Sequence, residues 1–216
     1  MDLHWSSQRD IANSKIVKSS AFWLIIVPLT AKMLDELDGT ISMTIFGGNF
    51  KLITSLPFSW QLLFFAAVFF TIAGIIYSVF CPDIIKKYSN FSEFESDGKT
   101  RMQINHAFKK VTWDYKNSKP KAEYIPFLVT YFNSYSNISE TTVINDETIE
   151  ENAKKLFDDI ASNKGKNSNA FYFVHEVSDK HRQKLIWTSL AFYILGFCHI
   201  AVIAIENIAF VVKSMG

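Results

Sequence analysis

The sequence predicts a mainly α-helical integral membrane protein: three transmembrane helices, a mostly helical cytoplasmic domain and a short outer β-hairpin. Three observations predict it. The 216-residue chain is 49% hydrophobic and 15% aromatic. Its charges are segregated: 16 of the 22 Lys and Arg, and 15 of the 21 Asp and Glu, lie between Asp83 and Lys184. The flanks hold uncharged runs long enough to cross a hydrocarbon core of roughly 30 Å at about 1.5 Å per residue.

The clearest run is PFSWQLLFFAAVFFTIAGIIYSVF, Pro57–Phe80, uncharged over 24 residues. Trp60 and Tyr77 lie toward its two ends, where amphipathic rings favour the headgroup region. The run Leu185–Val212, opened by Trp187, is long enough to tilt or to emerge on one side. Nearest the N-terminus, Ser19–Ala31 reaches span length as Ile16–Leu34, with Lys18 and Lys32 snorkelling to opposite faces. A signal peptide competes for that segment. Asp2 and Asp10 in a long leading region, Pro28 inside the run and the lack of an A-x-A site all count against it.

Flanking Lys and Arg set the direction. Arg9, Lys15 and Lys18 precede the first span; Lys86 and Lys87 follow the second; Lys180, Arg182 and Lys184 precede the third. The loop between spans one and two carries only Lys51 against Asp35, Glu36 and Asp38. The expected order is a cytoplasmic segment 1–15, span 16–34, a periplasmic loop 35–56, span 57–81, a cytoplasmic domain 82–184, span 185–212 and a periplasmic end 213–216.

In the outer loop, ISMTIFGGNFKLIT (41–54) alternates on either side of Gly47-Gly48-Asn49 and predicts a hairpin. Its role is a lid over span ends or a binding site. In the inner domain, Ile84, Ile85, Tyr88 and Phe91 predict one juxtamembrane helix lying on the bilayer or on the domain and ending before Gly98. Ile104, Ala107, Phe108 and Val111 predict a second helix. Pro126 opens a third that carries Phe127, Leu128, Tyr131, Phe132 and Tyr135. Asp146 caps a fourth with Ile149, Ala153, Leu156, Phe157 and Ile160 on one face. NKGKNSN (163–169) reads as a turn or mobile loop, and FYFVHEV (171–177) as a strand or the approach to the last span.

Chemistry-bearing motifs are sparse. GxxxxGK[ST], GxSxG and HExxH are absent, and Cys81 and Cys198 form no CxxC. His175 and His181 have no further ligand at zinc spacing. We expect no catalytic residue, metal, cofactor or small-molecule substrate. A near-neutral net charge of +1 gives no reason to expect nucleic acid as the main partner. RMQINH, Arg101 to His106, has the R-x4-H spacing of HEPN-type ribonucleases, in which Arg and His from two copies meet on a phosphodiester. The alternative is a solvated helix face.

Two helix faces stand out. In the last span Ser189, Phe192, Gly196, His199, Ile203, Glu206 and Phe210 step by 3 and 4 and form one stripe. Its small and polar members, Ser189, Gly196, His199 and Glu206, face protein or water rather than lipid. Two readings stand: a helix seam in which Glu206 pairs with Lys32, or a pore lined by copies of this helix in a homo-oligomer. In the second span Ala67, Thr71, Gly74 and Ser78 offer a small-residue packing face.

Finally, SAFWLIIVPLTAK (20–32), LPFSW (56–60) and FCPDIIKKY (80–88) resemble stretches of small membrane effectors of bacterial anti-phage systems. The resemblance is closest to transmembrane effectors encoded beside retrons. In size and architecture the chain also resembles the membrane component of the Kiwa system, less closely. The resemblance implies an inner-membrane toxin, held silent by a reverse transcriptase with its RNA-linked DNA. Once released, such effectors permeabilise the bilayer and kill the cell.

Overall fold

The computed structural model describes residues 3–35, 40–45, 48–53, 59–135, 145–158 and 166–215. The fold is mostly helical, with two short antiparallel ladders among the described residues. It divides into two compact units: Ser7–Phe80 with Lys184–Gly216, and Met1–Ser6 with Cys81–Gln183.

The first unit holds most of α1 (Trp5–Asn13), all of α2 (Lys15–Asp35) and α3 (Trp60–Phe80), and nearly all of α10 (Gln183–Met215). The helices α2, α3 and α10 are each long and apolar enough to cross a membrane. The helices α2 and α3 pack against each other along their lengths. Ser20 Oγ lies 3.1 Å from Thr71 Oγ1 across that pair, and Ser20 also donates to the Val17 carbonyl at 2.6 Å. The buried core is Val17, Ala66, Phe70, Ala73 and Tyr193, flanked by Ile11, Ala12, Phe192 and Ile200.

Between α2 and α3, β1 (Thr40–Ile45) pairs with β2 (Gly48–Ile53). Ile45 faces Gly48 and Thr44 faces Asn49. Gly48 and Asn49 therefore belong to the second strand, and 46–47 lie outside the described residues. The antiparallel ladder is the hairpin expected over 41–54.

The second unit packs α4 (Asp83–Lys87), α5 (Phe91–Ser96), α6 (Arg101–Thr112), α7 (Ile125–Tyr135), α8 (Asp146–Asp158) and α9 (Asn167–Asp179). Its core is aromatic: Phe108, Tyr131, Phe132, Phe157 and Phe171 are all buried. The Phe108 ring lies 4.6 Å from that of Tyr131, and Phe132 lies 5.1 Å from Phe157. Gln103 Oε1 accepts the Thr100 N–H at 2.8 Å, closing the first turn of α6.

Four expectations change here. The single juxtamembrane helix is two, broken at an extended Tyr88. Asn90 restarts the helix by accepting the Glu93 N–H at 2.9 Å. Both pieces lie on the domain: Ile84, Ile85 and Phe94 are buried, and α4 and α5 pack on α9. FYFVHEV is helical, the middle of α9. Its aromatic and β-branched residues favour a strand locally, but Ala170, Phe171, Val174 and Val177 bury at helical spacing. The cap of α8 is Asn145, whose Oδ1 accepts the Thr148 N–H at 2.9 Å, rather than Asp146. Of the expected 163–169 loop, 167–169 open α9 and 163–165 lie outside the described residues, as does Ile160. A small ladder, β3 (Trp113–Asp114) with β4 (Lys119–Pro120), joins α6 to α7 and was not foreseen.

Candidate functional site: the seam of the three-helix unit

Helices gain little from the hydrophobic effect inside a bilayer, so close packing and buried polar contacts decide which faces meet. The stripe on α10 meets α3 of the same chain. Ser189 is fully buried and donates to the Ala73 carbonyl at 3.3 Å. Gly196 faces the ring of Phe70: a Cβ added there would sit 2.6 Å from Phe70 Cε1 and 2.8 Å from Cδ1. The His199 ring lies 5.2 Å from that of Phe69, which also stacks on Phe192 at 6.0 Å. His199 Nδ1 is 2.8 Å from the Leu195 carbonyl. Glu206 Oε2 accepts the Ser59 N–H at 3.2 Å. Partners on α3 rise in number as those on α10 fall, so the two helices run antiparallel.

The expected Lys32–Glu206 ion pair is not formed among the described residues. Lys32 is exposed. Glu206 instead meets the backbone just ahead of α3, where unpaired N–H groups and the positive helix end favour a carboxylate. The second expected face also splits. Ala67 is buried and Thr71 bonds toward Ser20. A Cβ on Gly74 would meet nothing within 4 Å, and Ser78 is exposed. The buried stripe of α3 is Ala66, Phe70, Ala73 and Tyr77, one residue round the helix. Small residues permit close approach on any face. The face chosen is the one whose large side chain, Phe70, has a glycine opposite. Tyr193 and Ile186, both buried, complete the α10 side. Nothing in their type marks them out, since an apolar helix buries or exposes such residues alike. Gln8 also joins, donating from Nε2 to the Ile186 carbonyl at 2.8 Å.

In the other unit, the Arg101–His106 pairing does not assemble. Arg101 is buried, donates from Nη2 to the Tyr135 carbonyl and lies 5.1 Å over the Tyr131 ring. Burial pushes its pKa down, against the pull of Tyr131 and Tyr135. His106 is exposed. Five residues turn a helix by about 140°, so the two side chains leave on different faces. Within one chain Arg101 packs into the aromatic core of this unit, apart from His106.

A polar cluster that the sequence did not reveal surrounds His181. Tyr124 Oη lies 2.7 Å from His181 Nδ1. Burial raises the Tyr124 phenol to about 12, so it stays protonated and donates. Burial, with Lys121 and Arg182 nearby, pushes His181 down to about 4. The unfolded chain protonates this imidazole near its ordinary value of 6.5. As pH falls through 6.5, the unfolded state gains a proton that the native state refuses. Stability of the 81–183 unit is therefore expected to be full above about pH 6.5 and to decline from there toward pH 4. Thermal unfolding followed by circular dichroism checks this. His181→Gln should flatten the slope between about pH 6.5 and 5, above the range in which carboxylates titrate.

Among the described residues, no group of three or more His, Cys, Asp or Glu is placed to hold a metal ion. Comparison of the chain with protein-family models, curated proteins and solved structures finds no match.

Proposed function

We propose that the chain is a three-span protein of the bacterial inner membrane that serves as a non-enzymatic effector of anti-phage defence. On release from cytoplasmic inhibition it oligomerises and permeabilises or depolarises the membrane. The observation that carries the membrane reading is the exposure of α10. Only 11% of its most apolar window is buried within the protein, while Ile205 and Val212 are each 65% exposed. Lipid is the solvent that suits such a surface. The flanking charges support a cytoplasmic N-terminus and 81–183 unit, with the 35–56 loop and the C-terminus periplasmic.

The defence role rests on the resemblance of 20–32, 56–60 and 80–88 to retron-associated effectors. The seam suits a silent state. With Ser189, Gly196, His199 and Glu206 turned onto α3, the polar stripe is covered within one copy. Conduction requires α10 to exchange α3 for α10 of other copies. The 81–183 unit is then the handle for a cytoplasmic partner, such as a reverse transcriptase with RNA-linked DNA. The same closed seam favours a second reading, a membrane-anchored scaffold or sensor that conducts nothing and recruits a soluble protein.

Induction of the chain alone, followed with a potential-sensitive dye, separates these readings. The effector is expected to depolarise cells within minutes, and Glu206→Gln combined with His199→Ala to weaken that. Unchanged potential with normal growth and a stably co-purifying protein would leave the scaffold.

A further inference from the structure

The chain leaves the 81–183 unit at two points, after Ser6 and after Gln183. The structure brings those two exits together. Trp5 is 0% exposed, and its indole Nε1 donates to the His181 carbonyl at 2.7 Å. Asp179, also buried, accepts from the Ser6 N–H at 2.7 Å and from the Ser6 hydroxyl at 2.6 Å. His4 Nδ1 lies 3.4 Å from the same carboxylate. Gln183 Nε2 donates to the Leu3 carbonyl at 2.8 Å. Every residue from Leu3 to Ser6 thus contacts the elbow between α9 and α10, at 179–183.

Two features of that elbow need the strap. Asp179 is the last residue of α9, at the negative end of the helix, where a buried carboxylate is unfavourable without donors. Ser6 supplies them from the first turn of α1, whose N–H groups have no intrahelical partner. Arg182 has φ 61°, the left-handed region that residues with a Cβ enter only at a cost. Such a conformation persists where the surroundings over-determine it.

We propose that Leu3–Ser6 form a latch that holds the α9–α10 elbow in its left-handed form. When the latch leaves, Asp179 opens to water and Arg182 returns to right-handed backbone. The segment entering the first span and the segment entering the last are thereby coupled through one contact. A partner that binds residues 3–6 would unlatch the elbow. The latch does not depend on what α10 does in the bilayer, and its test uses no readout of depolarisation.

The test is hydrogen exchange on the full chain in lipid nanodiscs. Trp5→Ala is expected to raise exchange at the 180–186 amides by about tenfold while α6 and α7 keep their protection. Adding Arg182→Gly removes the left-handed cost and should restore elbow protection in the Trp5→Ala background. A Trp5→Ala elbow as protected as wild type overturns the latch, and so does an elbow that Arg182→Gly fails to restore. Should Trp5→Ala loosen α6 and α7 as well, Ser6→Ala decides, since it removes one hydrogen bond. A rise of about threefold confined to the elbow supports the latch; no rise there overturns it.

Discussion

Gly196→Leu is expected to force α10 away from α3. Even the first added carbon would stand 2.6–2.9 Å from three atoms of the Phe70 ring, closer than real Cβ contacts allow. Phe70 has no easy retreat: it is 2% exposed, and the ring of Phe197 lies 4.9 Å away, edge-on. Overpacking of this kind costs about 1–3 kcal/mol. Thermal unfolding of the purified protein in detergent should move to lower temperature by a corresponding amount. Phe70→Ala opens a space that Leu can fill, so the double variant should recover part of the loss. That non-additivity marks direct contact, and a purely additive pair would argue that the two side chains do not meet. Under the effector reading, the single variant is also expected to depolarise cells without any trigger, because the seam that closes the polar stripe has been prised open. A destabilised but non-toxic Gly196→Leu would favour the scaffold.

Phe108→Ala is expected to be the most damaging single change in the 81–183 unit. Phe108 is fully buried, and its ring lies within 6.3 Å of those of Tyr131, Phe157 and Phe173. Truncating a buried Phe costs about 3–5 kcal/mol, much of it from the cavity left behind. That is a large share of the roughly 5–15 kcal/mol that stabilises an ordinary domain. The far-ultraviolet melt of this unit should shift well down, or the unit should be unfolded at physiological temperature. Because Phe108 lies outside the three-helix unit, protease protection of the three long apolar helices is expected to survive. Joint loss of that protection would show that the two units do not fold independently.

The three apolar helices were legible because their signal is additive: length and lack of charge need no partner to be read. The aromatic positions of α6, α7 and α8 were legible through their 3.6-residue spacing. The faces were harder. On α10 Ser189, Gly196, His199 and Glu206 share one stripe, and that stripe meets protein at Ser189, Gly196 and Glu206. On α3 the small residues pointed to Ala67, Thr71, Gly74 and Ser78; of these only Ala67 buries, beside Ala66, Phe70, Ala73 and Tyr77. A choice between neighbouring faces turns on the shape of the opposite helix, which no local pattern carries.

The sequence by itself determined the class of the protein: where its charges lie, how many helices can cross a bilayer, and which stripe of the last one faces protein. Only the tertiary structure decided the partners. Glu206 meets Ser59 rather than Lys32 because an unpaired backbone N–H at a helix start competes well with a long, exposed lysine. Arg101 and His106 diverge because five residues of helix turn them onto different faces. Trp5, Asp179 and Arg182 gather at one elbow because contacts across some 170 residues of chain depend on the whole packing. Each of these is a long-range choice among locally equivalent options, and locally equivalent options are indistinguishable in a linear reading.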